Sequence, residues 1–100
     1  MQFIITAYDG PDMLEKRMEV RPMHLENMIK VRETGKVICA GGLLDEQGCM
    51  KGSVLILDFA SRELLNEYLA AEPYVTEGVW QDIRVEQMNV VVMNGEKVGS

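Results

Sequence analysis

The chain has 100 residues, 47% of them hydrophobic and 26% charged, which gives one globular domain and excludes a second. Its net charge is −6, and the 10 Lys and Arg are interspersed among 16 acids, so the basic stripe of a nucleic-acid binder is missing. Cys39 and Cys49 lack the CxxC spacing of a redox or zinc pair, and Met1-Gln2-Phe3-Ile4-Ile5 has no basic leader and too short an apolar run for export or a membrane span. The expectation is a cytoplasmic protein with free thiols, no membrane and no nucleic-acid partner.

Gln2 to Tyr8 is a β-branched and aromatic run stopped by Asp9-Gly10-Pro11, and it predicts the first strand. Asp12 with Glu15 three residues on resembles a capping box, so a helical turn or two begins there. Pro22 lacks an N–H and pushes Arg21 out of the α region, which predicts that the main helix starts afresh at Pro22. That helix runs to Thr34 with Leu25, Met28 and Ile29 on its inner face, Gly35 as C-cap, and His24 on the flank of the apolar face. Met13, Met18, Met23 and Met28 recur every five residues, a step that gathers them on no single face.

Lys36 to Ala40 predicts a second strand ending at Gly41-Gly42, and Gly52 to Phe59 a third. The glycine pair is no phosphate cradle, because no helix start follows it. Ser61 caps a second helix with Leu64, Leu65, Tyr68 and Leu69 inside, and Pro73 takes the chain out of the α region at Glu72. Pro73-Tyr74-Val75 is a short turn with helical character. Val79 to Met93 is a long, bulged final strand, and Asn94-Gly95 closes the domain at residue 94, leaving 95–100 as a flexible tail.

The order β-α-β-β-α-β is the ferredoxin-like α+β pattern, two helices on one face of a four-stranded antiparallel sheet. The runs Phe3-Ile4-Ile5, Val54-Leu55-Ile56-Leu57 and Val90-Val91-Val92-Met93 are apolar on both faces, and helices cover only one. A second copy across a two-fold axis covers the other, so a homodimer is expected.

His24 is the sole histidine, and imidazole exchanges protons near neutrality, which makes it a candidate general acid or base. The alternative is a buried structural histidine. Glu72, its backbone restricted by Pro73, is the candidate carboxylate to orient it, unless it is merely a surface acid at a helix end. Arg17 and Arg21 precede His24 by seven and three residues and would hold an anionic substrate oxygen, or else form surface pairs with Glu15 and Glu19. Ser53 is a further polar contact for substrate. It is not the nucleophile of a triad, because no GxSxG elbow surrounds it. One histidine and no clustered thiols argue against a metal, and no cofactor is expected.

Glu15-Lys16-Arg17, Arg21-Pro22-Met23-His24-Leu25, Ala40-Gly41-Gly42, Gly52-Ser53, Glu72-Pro73-Tyr74-Val75 and Gly78-Val79 form an ordered series that resembles the YCII-related domain family from Phe3 to about Val91. The resemblance implies a dimeric α+β barrel, a small cytoplasmic bacterial protein, and an active site built on a histidine-aspartate pair. One relative is a dehydrochlorinase of a chlorinated hydroxyhydroquinone. The family histidine falls on His24, and the aspartate of its Asp-Pro-aromatic motif falls on Glu72, a departure of one methylene; Tyr74 is the motif's aromatic and joins the substrate-binding candidates. The expectation is a lyase or hydrolase in which His24 and Glu72 are the catalytic pair, acting on a small molecule. The alternatives are a module that binds a small molecule or partner without chemistry, and a cofactor-independent oxygenase on the same barrel.

Overall fold

The computed structural model describes all 100 residues. Its elements are β1 (Gln2–Asp9), α1 (Leu14–Lys30), a 3-10 turn at Val31–Glu33, β2 (Gly35–Leu44), β3 (Met50–Phe59), α2 (Arg62–Ala71), α3 (Pro73–Thr76), β4 (Trp80–Met88), and the short strands β5 (Val92–Met93) and β6 (Glu96–Lys97). The four long strands form one antiparallel sheet in the order β2-β3-β1-β4, the ferredoxin-like arrangement. None of the helices is long and apolar enough to cross a membrane.

The core lies between the sheet and the helices. Phe3, Ile5 and Ala7 of β1 sit opposite Leu57, Leu55 and Ser53 of β3, and every one of these is buried. Val20 and Val31 come down from α1 and its 3-10 extension, Leu65 and Tyr68 from α2, each aliphatic side chain contributing roughly 1.5–3 kcal/mol. Along the inner rows the side chains shrink from Phe3 and Leu57 to Ala7 and Ser53, and on β2 the partners of Leu55 and Ser53 are Ala40 and Gly42. This taper leaves open space under the N-terminal half of α1. Gly52, just before Ser53, permits the close approach of β1, since a Cβ there would collide with the Ala7 carbonyl oxygen.

The helix differs from its expected form in three ways. It does not restart at Pro22 but runs through it, because the proline ring lies on the exposed side and the carbonyl it leaves unpaired belongs to Met18, which is half exposed and open to water. Asp12 does not cap it: its backbone is left-handed at φ 57°, and Met13 occupies the cap position with no side-chain bond. The buried residues of α1 are Arg17, Val20 and His24, whereas Leu25 and Ile29 are exposed, so His24 is in the middle of the inner face rather than on its flank. Gly35, expected as a helix cap, opens β2. β2 itself extends four residues past Ala40, with a bulge near Ile38, and carries Gly41 and Gly42 as strand residues.

The C-terminal region also differs. The sheet strand stops at Met88, and the segment beyond it is a hairpin whose Asn94-Gly95 turn has both residues at positive φ, the type I′ geometry that suits a two-residue connection. The expected loose tail is tied back by Val98 N–H to the Val91 carbonyl at 2.8 Å and by Asn89 Nδ2 to the Ser100 carbonyl at 2.8 Å. Val90–Met93 is therefore not part of the sheet strand, but it borders a groove shared with Ile38, Cys39 and Ile56 of the outer face. That face is apolar over Ile4, Val54 and Ile56, and charged along the exposed β4 residues Asp82, Arg84 and Glu86, which lie beside them.

Candidate active site

Four polar or charged residues are buried, Arg17, His24, Ser53 and Glu72, the side chain of Asp9 is buried with them, and all converge at the tapered end of the core. Because α1 is unbroken, Arg17, Arg21 and His24 fall on one side of it, at offsets of seven and three residues from the histidine. β3 supplies Ser53. Glu72 is held between two helices: it ends α2, and its side chain caps α3 by accepting from Tyr74 N–H at 3.2 Å.

Glu72 is fully buried, and its carboxylate has acceptors for several donors. Oε1 bonds His24 Nδ1 at 2.5 Å as well as Tyr74 N–H, and Oε2 accepts from Tyr68 O–H at 2.6 Å and Asn27 Nδ2 at 3.3 Å. With Nδ1–H directed at the carboxylate, Nε2 is the nitrogen of His24 left without a protein partner. The imidazole stacks on Tyr74 with centroids 4.0 Å apart and planes 15° from parallel, and meets the edge of Trp80 at 5.7 Å. The ring is thus fixed by a bond on one side and packing on two others. Burial and then the Glu72 carboxylate push the Tyr68 phenol far above its ordinary range. Burial also raises Tyr74, opposed by the charges of Arg17 and Arg21 and reinforced by Asp9 and Glu72.

A second cluster adjoins the first. Arg17 Nη1 bonds both oxygens of Asp9 at 2.9 and 3.0 Å, and Nη2 donates to Ser53 Oγ at 2.7 Å. The guanidinium carbon lies 4.8 Å from the Tyr74 ring centroid, within cation–π range. Burial raises the Asp9 carboxyl, and the Arg17 charge and hydrogen bonds partly offset it. Trp80 Nε1 donates to Ser53 Oγ at 3.3 Å. Arg17 and Ser53 border a cavity of about 340 Å³, whose lining also includes Arg21, His24 and Tyr74. Arg21 has no ion-pair partner in the protein, so its charge is available to the cavity.

All six residues singled out from sequence therefore meet here: His24 and Glu72 in contact, Arg17, Arg21, Ser53 and Tyr74 around the same cavity. The surface pairs considered for the arginines do not form. Arg17 pairs with Asp9, and Glu19 with Lys16. Four further residues complete the site. Asp9 carries only a turn-former signal in the sequence, although it is the last residue of β1, and Trp80 lies inside a long extended run. Tyr68 precedes Glu72 by four residues, a helical-neighbour spacing that points to their bond, and Asn27 follows His24 by three on the same helix.

The YCII-related domain model matches residues 1–89. The protein YciI of Escherichia coli O6:H1 is 33% identical over 97 residues, which cover 91% of this chain and 99% of that protein. Among solved structures, the 5-chloro-2-hydroxyhydroquinone dehydrochlorinase of Burkholderia phenoliruptrix AC1100, in complex with 2,5-dihydroxybenzoquinone, is similar at a TM-score of 0.78 and 22% identity over 88% of this chain and 93% of that one. An antibiotic biosynthesis monooxygenase is similar at a TM-score of 0.57 and 20% identity, over 91% and 98% of the two chains. These structural likenesses establish the ferredoxin-like fold.

Proposed function

The chain belongs to the YCII-related domain family, and from that premise we propose that it is a small acid–base enzyme of the lyase or hydrolase kind, with His24 as the catalytic residue and Glu72 positioning it. The observation that carries this reading is the 2.5 Å contact of His24 Nδ1 with a fully buried carboxylate at the wall of a cavity. It leaves Nε2 free for a substrate, puts negative charge beside the ring where an imidazolium would form, and holds the ring against turning. A proton removed from a substrate C–H or O–H passes to Nε2 and is returned from it to the product or the departing group. Arg21, and Arg17 through Ser53, give the cavity a positive character that suits a phenolate, enolate or carboxylate oxygen. Tyr74 supports the reacting ring. The dehydrochlorinase of similar fold suggests ring compounds that lose a halide as the first substrates to try.

Turnover of a panel of phenolic, lactone and halogenated compounds, including hydroxylated quinones, tests the proposal. His24→Ala is expected to stay folded and to lose about 10²–10⁴-fold in rate. Full activity in that variant would remove the acid–base role. Tight binding that survives Glu72→Gln, with no product after long incubation, would assign the cavity to recognition without chemistry.

We also infer that the protein is a homodimer through the outer face of its sheet, where Ile4, Val54 and Ile56 are only half buried in one copy. Sedimentation at micromolar concentration checks this, and a monomer there would count against it. A cytoplasmic location is proposed on the strength of two exposed cysteines with free thiols, which persist in a reducing compartment.

A further inference from the structure

Ser53 Oγ accepts hydrogen bonds from Arg17 Nη2 at 2.7 Å and from Trp80 Nε1 at 3.3 Å. Guanidinium and indole nitrogens donate and never accept, so both lone pairs of the hydroxyl are engaged and only its proton remains. No protein acceptor takes that proton, although Ser53 is only 3% exposed and borders the cavity beside His24. Arg17 adds a second unspent donor, since its Nε–H is buried without an acceptor. A buried donor left unbonded is costly, and this wall of the cavity concentrates two of them.

We propose that Ser53 is the specificity-determining donor of this site, its hydroxyl proton reserved by Arg17 and Trp80 for an oxyanion or carbonyl oxygen of a small ligand. The inference rests on the reading of this cavity as the ligand site. It deepens that reading by fixing polarity: the ligand presents an acceptor at Ser53, and a ligand with an N–H or a cation at that point meets a donor and the charge of Arg21. It also gives the serine a role other than attack on the substrate. Its lone pairs are spent, and its partners are Arg17 and Trp80 rather than His24.

Trp80 is the sole tryptophan, so its indole N–H gives one resonance in an amide-correlation NMR spectrum, and that resonance reports the Ser53 bond directly. Benzoate and nitrobenzene are probes of nearly the same shape, the first with strongly accepting oxygens and the second with weak ones. Wild-type protein and Ser53→Thr are expected to shift the indole peak with benzoate and to prefer it to nitrobenzene. In Ser53→Ala the preference is expected to shrink about tenfold or more through weaker benzoate binding, with nitrobenzene little changed. Ser53→Cys, which keeps the volume but is a poor donor, should follow Ser53→Ala and serves if that variant does not fold. Equal loss of both probes would mean that Ser53 only supports the wall, and no response of the wild type to millimolar benzoate would remove the site; either result overturns the proposal. Binding is read apart from turnover. A chain that binds benzoate through Ser53 yet turns over nothing would overturn the acid–base reading and leave this one standing.

Discussion

The imidazole of His24 and the ring of Tyr74 lie face to face, 4.0 Å between centroids, and one oxygen of Glu72 bonds both residues, the histidine at Nδ1 and the tyrosine at its backbone N–H. The same carboxylate thus orients the reacting ring and caps the short helix that carries the ring's stacking partner.

Glu72→Gln tests that double role. Glutamine offers one oxygen and one NH₂ group to the four donors that surround Glu72, so at least one donor loses its acceptor. The expected cost is about 1–3 kcal/mol of stability, read from urea unfolding. If the NH₂ group turns toward His24, the proton moves to Nε2 and the catalytic nitrogen becomes a donor; nitrogen NMR of the imidazole distinguishes the tautomers. An unchanged tautomer together with full activity would remove Glu72 from the mechanism.

Alkaline titration addresses Tyr68 and Tyr74. Burial raises both phenols above the ordinary value of 10.0, with the Glu72 carboxylate adding to the effect at Tyr68. A folded-state value above the unfolded one means that the native protein holds its protons longer. The stability contribution is therefore complete below about pH 10 and is lost as pH rises above it, where the unfolded chain ionises first. Phenolate absorbance of these two tyrosines should appear together with loss of the circular dichroism signal. Tyr68→Phe should lower stability by about 1 kcal/mol at neutral pH and flatten the alkaline decline. A smooth titration of both phenols in folded protein would contradict this.

The pair Arg17–Asp9 has side chains only 4% and 6% exposed, so the charges depend on each other. Asp9→Ala leaves the guanidinium without its counter-charge, and about 3–5 kcal/mol of stability should go with it. The double replacement Asp9→Leu with Arg17→Met should recover much of that loss, since apolar side chains of similar size remove the desolvation cost. A double variant as unstable as Asp9→Ala would show that the damage comes from packing instead.

Pro22→Ala should stabilise the protein. It restores the missing N–H to the Met18 carbonyl and removes the ring from a helix interior, worth about 1–3 kcal/mol. Because Met18 is half exposed and lies on the outer side of the helix, the lower end of that range is expected from thermal unfolding. A lower midpoint would indicate that the proline sets a bend the site requires.

The β-branched runs and turn residues of the strands, the Ser61 cap and the break at Glu72-Pro73 are legible in the sequence, because each is a local effect of side chain on backbone. The cap is seen as Ser61 accepting from Leu64 N–H at 3.2 Å. The contact of His24 with Glu72 joins residues 48 apart in the chain, and the family resemblance points to it more than any local pattern does. The inner face of α1 differs from its expected form for a physical reason. It is built from Arg17 and His24, polar residues that hydropathy assigns to solvent, while the apolar Leu25 and Ile29 lie outside. Asp9 was hidden for the same reason: its value comes from Arg17, which only tertiary folding brings to it.

That the chain confines its buried polar side chains to one place sets how it responds to selection. A screen for heat resistance would favour joint apolar replacement of Arg17, His24, Ser53 or Glu72 together with their bonded partners, because removing a whole partnered group relieves desolvation whereas removing one member strands the rest. Every such gain would be drawn from the cavity. Libraries intended to toughen this protein without erasing its chemistry should therefore leave these four positions fixed and work on the solvent side of α1.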